Sequence, residues 1–191
     1  MSKIAIIVGS VRPNRFGPQV AQWISGLAAD RANADFELVD LADFKLPLLD
    51  EPQLPMMGNY QNAHTKKWAK KISEFDGYIF VTPEYNHGIS GSLKNAIDFL
   101  YAEWIHKPVA YVSYGAGVGG SRAVEQLRQI AAQLKQYDVL EQVVILNSWT
   151  HQDEDGKFVP NEDHEKQAEA LLKETIFWSE EFKSIRKKLV K

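Results

Sequence analysis

The chain contains no cysteine. Disulfides, thiolate nucleophiles, cysteine zinc sites and cysteine-held iron–sulfur clusters are therefore excluded. An excess of either charge is also missing, since 22 Lys and Arg stand against 25 Asp and Glu, a net charge of −3. That leaves no basic footprint for nucleic acid and no strong acidic field for docking basic partners. Long apolar runs are absent. The N-terminal Ile4-Ala5-Ile6-Ile7-Val8 is too short for a signal-peptide core and reads as a buried strand; no stretch approaches a membrane span. There is no internal repeat and no linker rich in Gly, Ser and Pro. The cytoplasm is the expected location, which a cysteine-free chain fits.

What is present is the composition of a folded domain: 191 residues, 45% hydrophobic and 25% charged. At roughly 150 residues per domain, one domain is expected over residues 1–191. Size scaling puts its folded surface at about 9,200 Å² against about 31,000 Å² for the open chain, so the core needs no staples.

Short β-rich runs alternate with amphipathic stretches. Strands are expected at 3–8, 36–40, 78–82 (stopped by Pro83), 109–113 and 142–146. Helices are expected from about Pro18, over 62–74, over 91–101, from near Gly120, and from Asn161 to the end. Apolar residues at helical spacing carry the helices, such as Val20, Trp23, Ile24, Leu27 and Ala28 in the first. Asn161 reads as the last N-cap, with Glu162 and Asp163 in the first turn. The basic Arg186, Lys187, Lys188 and Lys191 complement that helix's dipole. Five strand–helix units argue an α/β fold with a parallel sheet covered on both faces. The length suits the flavodoxin-like doubly wound order 2-1-3-4-5, whose ligands sit beyond the carboxyl ends of the strands. Function is therefore expected in the loops after strands one, three and four.

The first loop reads Gly9-Ser10-Val11-Arg12-Pro13-Asn14-Arg15-Phe16-Gly17-Pro18. Small residues, a hydroxyl, two arginines and a helix N-terminus suit a phosphate; a plain turn with two solvated arginines is the simpler reading. The Gly-Lys-Ser/Thr ending of a Walker loop is missing. After the fourth strand, Gly115, Gly117 and Gly120 satisfy G-x-G-x-x-G, with Asp138 and Glu141 about twenty residues on. Dinucleotide binding there competes with a glycine wall against which a flat ligand lies. The loop after strand three, Thr82 to Gly91, offers backbone groups for the polar edge of a heterocycle and Tyr85 to pack on it. Ser90 or Ser92 in the same loop reads as a helix cap.

Gly9-Ser10-x-Arg12, Pro83-Glu84-Tyr85-Asn86 leading to Leu93-Lys94-Asn95-Ala96-Ile97-Asp98, and Ser113-Tyr114-Gly115 with Gly119-Gly120 together resemble the NAD(P)H-dependent FMN reductase family over about residues 3–135. Leu100-Tyr101-Ala102-Glu103-Trp104 before Lys107-Pro108 resembles its quinone- and azo-dye-reducing branch. The resemblance implies a flavodoxin-like fold with Ser10, Arg12, Arg15, Phe16 and Gly17 around the FMN phosphate. It implies Pro83, Glu84, Tyr85 and Asn86 on the isoalloxazine, largely through backbone, and Ser113, Tyr114, Gly115 and Gly119 along its other edge. Arg15 departs from the serine frequent in the family, so phosphate charge would be met by two arginines.

The implied reaction passes hydride from NAD(P)H through FMN to a small-molecule acceptor, a quinone, azo dye or free flavin, at one exposed ring face. No side chain is required as acid or base, so no catalytic residue is assigned, and no metal. The family resemblance also implies a homodimer or homotetramer with the flavin near the subunit boundary; the second helix, and the third with the residues to Trp104, are candidate interface elements. The alternative is a flavodoxin-type electron carrier without substantial reductase activity, against which the mild net charge argues. Elsewhere, His64 and His164 are expected at the surface. His151 near Asp153 and Asp155 has no metal-ligand spacing, and Trp104 and Trp149 are expected in the core.

Overall fold

The computed structural model describes residues 1–29 and 31–189; Lys191, assigned above to the basic end, lies outside them. The five long strands are β1 (Ser2–Val8), β2 (Ala34–Asp40), β3 (Gly77–Tyr85), β5 (Pro108–Tyr114) and β6 (Tyr137–Ile145); a short β4 (Gly88–Ile89) turns back on β3. The sheet order is β2-β1-β3-β5-β6, with these five parallel and β4 antiparallel to the end of β3. Setting β4 aside, this is the 2-1-3-4-5 order of a flavodoxin-like fold.

The helices are α1 (Gly17–Ala29), α2 (Ala63–Ser73), α3 (Gly91–Asp98), α4 (Ser121–Gln133) and α5 (Glu162–Leu189). The two-residue alternation of the strands sorts the core into two layers. Ala5, Ile7, Tyr78, Phe80, Val109 and Tyr111 pack with Trp68, Ile97 and Leu127 of α2, α3 and α4. Ile4, Ile6, Val8, Ile79, Ala110 and Val112 pack with Val20 and Ile24 of α1 and Leu171 and Leu172 of α5. Both faces are covered, which is why the central strands read as nearly unbroken apolar runs. No helix among the described residues is long and apolar enough to cross a membrane.

Several boundaries differ from expectation, each for a physical reason. Pro83 does not stop β3. The Gly9 N–H donates to the Val81 carbonyl at 2.8 Å, so Val81 faces β1, and Pro83, two residues on, faces the same way beyond the end of β1. Its missing N–H therefore costs no ladder bond. The chain then turns through Asn86 and His87, both at positive φ (51° and 65°), as a tight two-residue hairpin turn requires.

The third helix ends at Asp98 rather than near 101. Trp68 and Trp104 are fully buried, and their indole N–H groups donate to the Ala96 and Ile97 carbonyls at 2.8 and 3.1 Å. Those bonds, together with buried Phe99 and Leu100, turn the chain into the core. β6 begins five residues earlier than expected because its first half is an edge with polar residues and exposed Leu140. A register shift between Val109 and Tyr111 breaks the pattern there.

Asn161 caps α5 as expected, its Oδ1 accepting the His164 N–H at 2.9 Å. His164 is not a surface residue: at 4% exposure, its Nδ1 accepts the Asn161 N–H at 3.3 Å and its ring lies 4.6 Å from that of His151. Trp104 is in the core, but Trp149 is 61% exposed. It sits on a short turn, Ser148–Thr150, beyond β6. His64 is half-buried, with Nε2 2.9 Å from the Asp50 carboxylate. At the basic end of α5, Arg186 turns back to the Asp76 carboxylate and the His106 carbonyl. It therefore acts as a tertiary clamp as well as a dipole partner.

Candidate functional site

β1, β3 and β5 lie side by side and end at the same edge of the sheet, so the loops after them meet there. Ser10 leaves β1 with its side chain turned inward, its Oγ 2.8 Å from the Tyr85 hydroxyl and accepting the Arg12 N–H at 3.3 Å. One hydroxyl thus joins the first loop to the end of β3. The Gly9 carbonyl before it accepts from the Ser90 and Ser92 hydroxyls, while Ser90 also caps α3 by accepting the Leu93 N–H. Of the two candidate caps Ser90 is the one used, and both serines fix the first loop against α3.

Phe16 packs edge-on against Tyr114 of β5, ring centroids 5.6 Å apart, and against Phe158 at 5.5 Å. A Cβ on Gly17 would stand 2.8 Å from the Tyr114 hydroxyl, so only glycine lets α1 begin this close to β5. Burial pushes the Tyr114 phenol well above the ordinary tyrosine range; Tyr85 adds to the shift, while Arg12 and Arg15 oppose it. All four side chains share one electrostatic neighbourhood. Tyr85 remains 37% exposed, with its hydroxyl anchored on Ser10 and its ring available to a ligand.

Four expected residues are engaged elsewhere. The Arg15 guanidinium pairs with the Asp40 carboxylate at the end of β2, so the loop does not present two unpaired arginines. The Glu84 carboxylate turns to α4, accepting the Arg122 N–H at 3.1 Å and the Arg122 guanidinium at 2.8 Å. With its carboxylate so engaged, Glu84 leaves only its backbone to the loop edge. Ser113 is fully buried and lies under the turn into α4. Gly119 is also buried, and a Cβ there would meet Val144 at 2.5 Å and the Ile145 backbone at 3.0 Å. Gly119 therefore serves close packing on β6, while Gly115 stays partly open at the edge.

The same contacts remove the dinucleotide reading of Gly115–Gly120. A pyrophosphate would need the N-terminus of α4, and the Glu84 carboxylate already occupies it. Asp138 lies at the opposite end of the sheet, paired with Arg128 at 2.8 Å.

Two polar residues went unnoticed in the sequence, Asp40 and Arg122. Asp40 carries a readable signal, since it is the last residue of β2 and the strand-end rule includes that position. Arg122 carries none, because its role depends on which way Glu84 turns. Tyr85, Tyr114, Ser10, Arg12, Phe16, Gly17 and Asn86 do come together at one edge. Among the described residues no three His, Asp or Glu side chains gather as metal ligands.

Comparison with known proteins gives the lineage. The NADPH-dependent FMN reductase family matches residues 2–151. An NAD(P)H-dependent FMN reductase of Schizosaccharomyces pombe is 48% identical over 135 residues, 70% of this chain and 67% of that protein. An NAD(P)H:quinone oxidoreductase of Solanum tuberosum is 32% identical over 177 residues, 89% of each chain. Among solved structures, the NAD(P)H:(acceptor) oxidoreductase FerB of Paracoccus denitrificans superposes with a TM-score of 0.73 at 22% identity, covering 95% of this chain and 99% of its own. The structural likeness speaks for the fold and the sequence matches for descent: the chain belongs to the NADPH-dependent FMN reductase family.

Proposed function

We propose that this chain is an FMN-dependent NAD(P)H oxidoreductase that reduces small aromatic acceptors, with quinones first and azo dyes and free flavin beside them. The observation that carries the reading is the three-loop edge itself, where a guanidinium without an ion pair among the described residues, a helix start and a half-exposed tyrosine meet in a chain of this family.

The residues fit the cofactor. Arg12 is exposed and forms no ion pair among the described residues, and the first turn of α1 carries no acidic residue. A phosphate there meets one cation and a positive helix end. Tyr85 and the backbone of Pro83, Glu84 and Asn86 would hold the flat ring, with Tyr114 and Gly115 at its other edge. Ser10, Phe16 and Gly17 shape the phosphate loop, and Ser113 and Gly119 support the β5–α4 turn from beneath. Bound there, FMN would supply the hydride chemistry between NAD(P)H and the acceptor. The chain's own work is placement: Ser10 fixes the Tyr85 hydroxyl, so the ring that the ligand stacks on is held before binding. No side chain is assigned a proton.

The proposal includes a cytoplasmic location, a single domain and a homodimer. A groove of about 410 Å³ runs between α3 and α4, lined by Met56, Ile97, Tyr101 and Ile130 among others. Leu54, Met56 and Met57 stand exposed beside it. An apolar patch of this kind suits a second copy of the chain. It favours α3 and α4 over the expected α2, with Trp104 confined to the core. Sedimentation equilibrium is expected to give a dimer; a monomer at all concentrations rules the interface out.

The deciding experiment is steady-state oxidation of NAD(P)H with a benzoquinone acceptor, with and without added FMN. Sustained turnover that requires FMN supports the reductase. FMN binding without turnover supports the carrier alternative.

A further inference from the structure

The two arginines of the first loop are not equivalent. Arg12 is exposed and has no carboxylate partner among the described residues. Arg15 is mostly buried, and its Nη2 donates to Asp40. Asp40 is itself fixed, because its other oxygen accepts the Ala42 N–H at 2.9 Å, capping the turn that follows β2. Neither partner is free to swing away. The Arg15 Nε is buried without an acceptor, so the guanidinium is committed to this geometry at the expense of one unmet donor.

An ion pair acts on a third charge as a dipole, whose field falls off faster than that of a lone cation. A phosphate monoester carries between one and two negative charges near neutral pH. Beside Arg12 alone it meets one uncompensated positive charge; beside two free arginines it would meet two. We infer that Asp40 sets the strength of the FMN phosphate grip, by neutralising Arg15 and leaving Arg12 as the single uncompensated cation of the loop. Asp40 is a specificity-determining residue that touches no ligand: it lowers the preference for phosphorylated over unphosphorylated flavin and keeps bound FMN exchangeable. The inference rests on the FMN reading above. The competing arrangement has Arg15 donating directly to the phosphate with Asp40 as its brace, and it predicts different numbers.

The test is a double-mutant cycle. Dissociation constants for FMN and for riboflavin are measured on the full chain as wild type, Asp40→Asn, Arg15→Gln and the double variant, with melting temperatures as the check on folding. Asp40→Asn keeps the cap on Ala42 and unmasks Arg15. FMN is expected to bind roughly 5–20-fold tighter, with a steeper loss on adding salt. Arg15→Gln leaves Asp40 bare beside the phosphate, and FMN weakens by a similar factor. The double variant restores the net charge of the loop, and its FMN affinity returns to within about three-fold of wild type. Riboflavin binding stays constant across all four.

A double variant as weak as Arg15→Gln overturns the inference and shows Arg15 gripping phosphate directly. An Asp40→Asn chain that binds FMN more weakly than wild type overturns it in favour of the brace. If Asp40→Asn does not fold, Asp40→Ser, which also caps the turn, replaces it in both positions of the cycle. A wild-type chain that binds FMN no better than riboflavin removes the phosphate reading itself and the inference with it. That failure is visible before any variant is made.

Discussion

In the FMN reading proposed above, Arg12 is the residue on which phosphate recognition would turn. Arg12→Ala removes an exposed guanidinium that no other side chain uses among the described residues, so folding is untouched and the effect falls on the ligand. A charge-assisted contact of this kind is worth about 1.5–3 kcal/mol, so FMN affinity is expected to drop roughly 10–100-fold with riboflavin unaffected. Fluorescence titration reads both; equal FMN affinity in variant and wild type moves the phosphate away from Arg12. Lys107 is a contrasting residue, with no part in the site. It is 7% exposed, its Nζ 2.9 Å from the Tyr78 hydroxyl, whose single proton is shared between the Ile72 and Glu103 carbonyls at 3.0 and 2.9 Å. Burial, and then repulsion from Arg186, bring its pKa down from 10.5 to about 8. The folded state therefore binds fewer protons than the unfolded chain between those values, and the cost of holding the charge disappears as pH rises through that window. Lys107→Met is expected to stabilise the protein by about 1–3 kcal/mol at neutral pH. The gain shrinks as pH rises above 8. Urea midpoints across this range check it, and a gain independent of pH contradicts it. The motif residues were legible because each has a local reason to be where it is. The partners of Arg15 and Glu84 were not, because an ion pair across loops depends on side-chain direction.

At the level of elements, the start of α5 carries a pH-sensitive clasp. Asn161 and His164 satisfy each other's backbone N–H groups, a cap in which the fourth residue reaches back to the first. Burial and the neighbouring His151 lower the His164 pKa from 6.5, with Asp163 opposing. A folded-state pKa below the unfolded one means the fold favours neutral imidazole. Its contribution is complete above the unfolded value and is lost as pH falls below it toward the folded value. Protonation also removes the acceptor on Nδ1 and places a positive charge at a helix N-terminus. His164→Gln keeps a neutral acceptor at the same position. The melting temperature of wild type is expected to fall more steeply than that of the variant between about pH 7 and about pH 5; identical slopes contradict the clasp. Asn161 was readable as a cap from its type and position. The burial of His164 was not, since it comes from Phe158 and His151 folding back over it. Likewise Pro83 reads locally as a strand stop, and only the end of β1 beside it explains why β3 continues.

On the scale of the molecule, the parallel sheet gathers the working loops by topology alone. Alternating strands and helices imply the sheet and its covered faces, and the strand order then implies which loops meet. That much of the fold and the position of the candidate site follow from periodicity in the chain. The antiparallel β4, the early start of β6 and the exposed Trp149 do not, because each depends on neighbours distant in sequence. The measurement that tests the account most directly is the visible spectrum of the purified protein supplied with FMN and titrated with NAD(P)H without oxygen, followed by a quinone. The account predicts a bound flavin band that NAD(P)H bleaches and quinone restores, with FMN the only flavin released on heating. A protein that stays colourless in excess FMN, or whose flavin band NAD(P)H leaves unchanged, contradicts it.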